Sequence, residues 1–139
     1  MTENIVVTGG ASGIGAAVVA RLVDRDFTIW NLDLEASSLP GVSNLVCDIS
    51  DRNSVEQAIV LLPDTLRAVI HVAGIALCRP DPSQVIRVNF FGLRFLNEQL
   101  NEKMVVGGQV LIVASSAGRD WRDNSDVVAG MLALTTLEQ

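Results

Sequence analysis

Thr8-Gly9-Gly10-Ala11-Ser12-Gly13-Ile14-Gly15 decides the fold of this chain. It follows a β-branched run, Ile5 to Thr8. It precedes apolar residues at helical spacing, Val18, Val19, Leu22 and Val23. A glycine lets the chain turn sharply from strand to helix. Another lets the backbone approach a pyrophosphate, and the last lets the helix pack close to the strand. Here the glycines fall at Gly9, Gly13 and Gly15, and the phosphates would rest on N–H groups at the helix start. Ser12 can add a hydroxyl donor, and Ile14 belongs to the same cofactor-binding turn. Alone, the trio is also compatible with a plain Gly-rich turn. Its context makes it a nucleotide cradle: a strand before it, a helix after it, and an acid, Asp33, at the end of the next strand.

Outward from the turn, strands and helices alternate. Phe27–Leu32 reads as the second strand, Asn44–Cys47 as the third, Leu66–Val72 as the fourth and Gln109–Ala114 as the fifth. The helices between them are expected at Ala16–Arg25, at Asp51–Leu62 with Ser50 as its N-cap, and at Gln84–Lys103. Gly107 and Gly108 turn the chain into strand five. Ser115–Asn124 reads as polar loop, and Val127–Leu137 as a last helix. With no repeat and no linker, this is one α/β domain over residues 1–139. It predicts a Rossmann-type, doubly wound parallel sheet of strand order 3-2-1-4-5.

Composition supports a buried parallel sheet: 49% of the 139 residues are hydrophobic. The net charge is −6 and no basic run occurs, which argues against a nucleic-acid partner. No apolar run reaches the ~20 residues of a membrane span, and no basic leader opens the chain. A cytoplasmic protein is the expectation. Cys47 and Cys78 are far apart and form no Cys-x-x-Cys pair, so free thiols are expected and no metal site.

Asp33, with Leu34 beside it, stands about 20 residues past the turn, where an acid accepts hydrogen bonds from the adenosine ribose hydroxyls. A 2′-phosphate would meet like charge there. No Arg or Lys lies between Arg25 and Arg52 to receive one, so NAD is favoured over NADP. A solvated loop acid is the competing reading of Asp33.

Taken together, these segments resemble the short-chain dehydrogenase/reductase family over the whole chain. Thr8–Gly15 is similar to its T-G-x-x-x-G-I-G, and Val88-Asn89-Phe90-Phe91-Gly92 to its V-N-x-x-G. The family's N-N-A-G stands here as His71-Val72-Ala73-Gly74: Ala73 and Gly74 are kept and both Asn are replaced. The resemblance implies an NAD(H)-dependent oxidoreductase that interconverts a small-molecule secondary alcohol and a ketone. It implies that Asp48, with Ile49, contacts the adenine. It makes Asn89 the helix residue that holds a water in the proton relay, against the plainer reading of an Asn bonding a neighbouring main chain. It places the catalytic serine at Ser115, with Ser116 the alternative. It also implies a homo-oligomer, paired through the long helix whose apolar face carries Val88, Phe91, Phe95 and Leu96. His71, the single histidine, reads as a packed residue rather than a base.

The family's acid/base pair is a Tyr with a Lys four residues later, the Lys lowering the Tyr pKa. This chain contains no Tyr, and its last Lys is Lys103. Two explanations compete. Val127–Leu134 is the Tyr helix with Val and Met in place of Tyr and Lys, giving a catalytically silent NAD-binding relative. Alternatively, Asp120–Gln139 is an insert like those of hydroxysteroid-dehydrogenase-like members, and the chain is the N-terminal, cofactor-binding part of a longer one. The polar, aromatic stretch Asp120-Trp121-Arg122-Asp123-Asn124 favours the second, in which the sheet is incomplete at its C-terminal end and strand five is an exposed apolar edge.

Overall fold

The computed structural model describes residues 2–76 and 81–134. Five parallel strands form one sheet in the order β3-β2-β1-β4-β5, as the alternation predicts. They are β1 Glu3–Thr8, β2 Phe27–Asp33, β3 Val42–Val46, β4 Leu66–His71 and β5 Met104–Ile112. Between them run α1 Gly13–Val23, α2 Arg52–Leu61, α3 Pro82–Ile86 and α4 Leu93–Asn101, and α5 Ser125–Ala133 follows β5.

Apolar side chains fill both faces of the sheet, as parallel strands require. On one face Val6, Leu32, Val69, Leu66 and Cys47 pack against Val55 and Ala58 of α2 and Leu96 and Leu100 of α4. On the other, Ile5, Val7, Ile29 and Ala68 pack against Val19 of α1. Each of these large aliphatic side chains contributes about 1.5–3 kcal/mol by leaving water.

The structure corrects several boundaries. The cap of α2 is Asp51, whose carboxylate accepts from the N–H of Asn53, and not Ser50. Ser50 instead donates to Asp48 through its N–H and its hydroxyl, at 2.9 and 2.7 Å. The long helix runs from Pro82 to Asn101 and contains a π-helical stretch, Arg87–Gly92, between α3 and α4. Strand five starts at Met104, not after the glycines. Gly107 and Gly108 form an irregularity inside it, where the pairing shifts between Leu66↔Met104 and Ala68↔Gln109. Within the expected polar loop, Ser116–Gly118 makes one 3-10 turn. Cys78 and the end of the last predicted helix lie outside the described residues.

Strand β5 is the outer strand on its side of the sheet. Val110, Leu111, Ile112 and Val113 are 43–54% exposed, so an apolar edge faces solvent. No helix among the described residues is long and apolar enough to cross a membrane.

Candidate functional site

The Gly-rich turn leaves the carboxyl end of β1, at the point where strand order reverses between β2 and β4. That crevice is where open α/β sheets bind ligands. Three successive N–H groups of the turn are held by β2: Gly9 donates to the Leu32 carbonyl, Gly10 to Asn31 Oδ1 and Ala11 to Asp33 Oδ2, each at 2.9 Å. Helix α1 starts with no side-chain cap from Ser12. Its first intrahelical bond is Ala16 N–H to the Ser12 carbonyl, so the N–H groups of Gly13, Ile14 and Gly15 precede it. These are the donors an anion would take.

Close approach explains the glycines. A Cβ on Gly15 would overlap the Gly9 carbonyl, and one on Gly9 would lie 2.8 Å from the Ala73 main chain. A Cβ on Gly13 would meet nothing within 4 Å, but its φ is +52°, a left-handed conformation that favours glycine. Thr8 Oγ1 accepts from the N–H groups of Val72 and Ala73, at 3.2 and 3.1 Å, and ties the turn to the Ala73-Gly74 segment.

Asp33, Leu34, Cys47, Asp48, Ile49 and Ala73 share a small pocket of about 100 Å3 beside the turn. Asp33 Oδ1 also accepts from Glu35 N–H at 3.3 Å. Burial pushes the Cys47 thiol up from 9.0, which leaves it protonated and unreactive at neutral pH.

On the other side of the turn, a cleft of about 640 Å3 brings together Ile14, Gly74, Asn89, Ala114 and Ser115. Its lining includes Ser115 and not Ser116. Ser115 Oγ accepts from Ala117 N–H at 3.1 Å, which leaves its hydroxyl proton to donate elsewhere. Asn89 sits in the π-helical stretch, and its side chain both accepts from Ile75 N–H and donates to the Ile75 carbonyl, at 2.9 and 2.8 Å. The carboxamide is therefore spent on a neighbouring main chain. Gly92 lets the same stretch press against the Ile49 carbonyl.

His71 is 1% exposed and is not part of the cleft lining, its Nε2 3.2 Å from Asn97 Oδ1 on α4. Its Nδ1 has no partner among the described residues. Burial lowers its pKa from 6.5, so it is a neutral packed residue and not a base. Trp121 is half-exposed with the Arg122 guanidinium 4.8 Å over its ring, outside the cleft lining. Asn31 and Ile75 hold the site without a sequence motif that names them, and Thr8, the first residue of the Gly-rich motif, adds its bonds to Val72 and Ala73. The one signal for Asn31 was an amide at an inward position of an apolar strand.

This geometry defines a nucleotide-binding α/β unit. The sequence pattern of the short chain dehydrogenase family matches residues 3–126, and the chain belongs to that family. It is 32% identical over 119 residues to a coniferyl-alcohol dehydrogenase of Pseudomonas sp. (strain HR199 / DSM 7063), covering 86% of this chain and 46% of that one. Among solved structures it is similar to a 3-alpha-hydroxysteroid dehydrogenase of Pseudomonas sp. B-0831 complexed with NADH, with a TM-score of 0.78 and 26% identity, covering 94% of this chain and 52% of that one. A short chain dehydrogenase of Leptospira borgpetersenii with bound NAD+ shares the fold, with a TM-score of 0.72 at 21% identity, covering 86% and 54%. The chain spans about half the length of these relatives.

Proposed function

We propose that the protein is an NAD(H)-dependent oxidoreductase of the short-chain type, interconverting a secondary alcohol and a ketone. The observation that carries this reading is the pairing of the open N–H groups at Gly13–Gly15 with an acid, Asp33, bonded to the same turn. Gly13, Ile14 and Gly15 would take the pyrophosphate. Asp33 would accept from the ribose hydroxyls and repel a 2′-phosphate, with Leu34 alongside. Asp48 and Ile49 would border the adenine, and the Ala73-Gly74 backbone would lie near the adenosine ribose. A bound NAD supplies the hydride acceptor, and its reduced form the donor.

Ser115 would donate its hydroxyl proton to the substrate oxygen and steady the charge developing there. Asn89 supports this cleft by fixing Ile75 with its side-chain amide, and the same Asn89 would hold a water of the proton relay. The proton-transferring Tyr and Lys are, on this reading, supplied outside the 139 residues. A homo-oligomer paired through α4, a single cofactor domain and a cytoplasmic setting belong to the same proposal.

One observation favours a second reading. The chain has no Tyr, and its last Lys, Lys103, bonds the Leu62 carbonyl and Asp64 rather than facing the cleft. That is the arrangement of an NAD-binding relative without a relay. Assay of the purified 139-residue chain with NAD and a panel of secondary alcohols tests what the two readings share: binding without turnover is expected, and turnover above the uncatalysed background would refute both.

A further inference from the structure

We propose that Asn31 is a positioning residue of the nucleotide site, joining the turn that would hold the pyrophosphate to the loop that follows the ribose-facing acid. The inference rests on the NAD reading above. Asn31 lies in the middle of β2 and is fully buried among apolar neighbours. An amide there is costly unless every polar atom is paired. Its Oδ1 accepts from Gly10 N–H at 2.9 Å. Its Nδ2 donates to Asn44 Oδ1 at 3.0 Å and to the Glu35 carbonyl at 3.4 Å.

The donors fix the orientation of both amides. Gly10 N–H can only donate, so Oδ1 of Asn31 must face it, and Nδ2 must face Asn44. Asn44 then presents Oδ1 to Asn31, and the same oxygen accepts from Ser37 N–H at 2.8 Å. Asn44 Nδ2 returns a bond to the Ser37 carbonyl at 3.3 Å. A chain of bonds therefore runs from Gly10 through Asn31 and Asn44 to Ser37. Its ends are the turn expected to hold the pyrophosphate and the 35–37 loop that follows Asp33.

No other common side chain does this work from that position. Asp could accept from Gly10 but not donate to Asn44. Ser has one donor and a shorter reach. An aliphatic residue would suit the strand and leave Gly10 N–H buried without an acceptor. The sheet's own ladder needs no side chain at position 31, because its bonds are main-chain bonds. The amide is accounted for by what it does to the turn and the loop.

The outer partner, Asn44, is exposed on β3. The chain of bonds can be cut there without opening the core. Titration calorimetry with ADP-ribose and with NAD, alongside thermal unfolding, compares the parent with Asn44→Ala, Asn44→Asp, Asn31→Ala and the double Ala variant. Asn44→Ala is expected to weaken both ligands about fivefold and, by taking the nearer acceptor from the Asn31 amide, to lower the thermal midpoint by a few degrees, roughly the cost of one lost hydrogen bond. Asn44→Asp keeps the acceptor for Asn31 and for Ser37 N–H but sets its second oxygen against the Ser37 carbonyl, and should recover part of that affinity. Asn31→Ala should weaken binding about tenfold, and the double variant no more than that, because both residues serve one chain of bonds. Parent-like affinity in Asn44→Ala overturns the inference alone. So does a loss of affinity that only follows a loss of stability, with no recovery in Asn44→Asp. A parent that binds neither ligand overturns the NAD reading and this inference together.

Discussion

Asp33 Oδ2 accepts a hydrogen bond from Ala11 N–H at 2.9 Å, so the acid that would face the ribose also fixes the turn that would face the phosphates. A carboxylate offers about four acceptor sites. Two are used here, by Ala11 and Glu35, and the others remain for hydroxyls.

This double duty separates two substitutions. Asp33→Asn keeps a neutral acceptor for Ala11 and removes the charge. It should narrow the preference for NAD over NADP about tenfold with little change in stability. Asp33→Ala also strands the Ala11 N–H, and should cost about 1–2 kcal/mol in urea unfolding as well. Parallel calorimetry and unfolding of the two variants check this.

Glycine replacements should divide by what a Cβ meets. Gly15→Ala forces the helix start away from the Gly9 carbonyl. It should cost about 3 kcal/mol and abolish nucleotide binding. Gly130→Ala, inside α5 with open space around it, should instead stabilise by about 0.5–1 kcal/mol. Chemical denaturation of both variants measures the contrast.

His71 sets a pH dependence. Its folded pKa lies below 6.5, so the unfolded chain binds a proton that the folded chain resists. The contribution is intact above 6.5 and is lost as pH falls from there toward the folded value. Asp81, lowered from 3.8 by its bonds to Ser83, acts only further down, so the windows are separate. The thermal midpoint should drop as pH falls below 6.5, and His71→Asn should flatten that drop. An unchanged slope in the variant would assign the acid sensitivity to other groups.

The β5 edge predicts association. Leu111 is 48% exposed on a strand paired on one side only. Leu111→Lys should lower concentration-dependent self-association in sedimentation experiments and leave the thermal midpoint nearly unchanged.

Strand order was legible because alternating runs and right-handed crossovers leave few topologies, and Ile5–Thr8 and Phe27–Leu32 are unambiguous. Local geometry was less so. Gly107-Gly108 reads as a turn before a strand, since nothing in two glycines separates a turn from an irregularity inside one. The π-helical stretch at Arg87–Gly92 shares its apolar spacing with an ordinary helix. Ser50 and Asp51 are both good caps, and the choice depends on Asp48 drawing Ser50 away. At the site, the glycines and Asp33 were readable from spacing. Asn31 was not, because its partners, Gly10 and Asn44, are distant in sequence and meet only through the sheet.

The most direct test of the account is calorimetric titration of the purified protein with NAD and, separately, with NADP. Saturable binding of one NAD per chain, at least about tenfold tighter than NADP, is the predicted result. Absence of saturable binding, or tighter binding of NADP, would contradict the account given for the Gly-rich turn and Asp33.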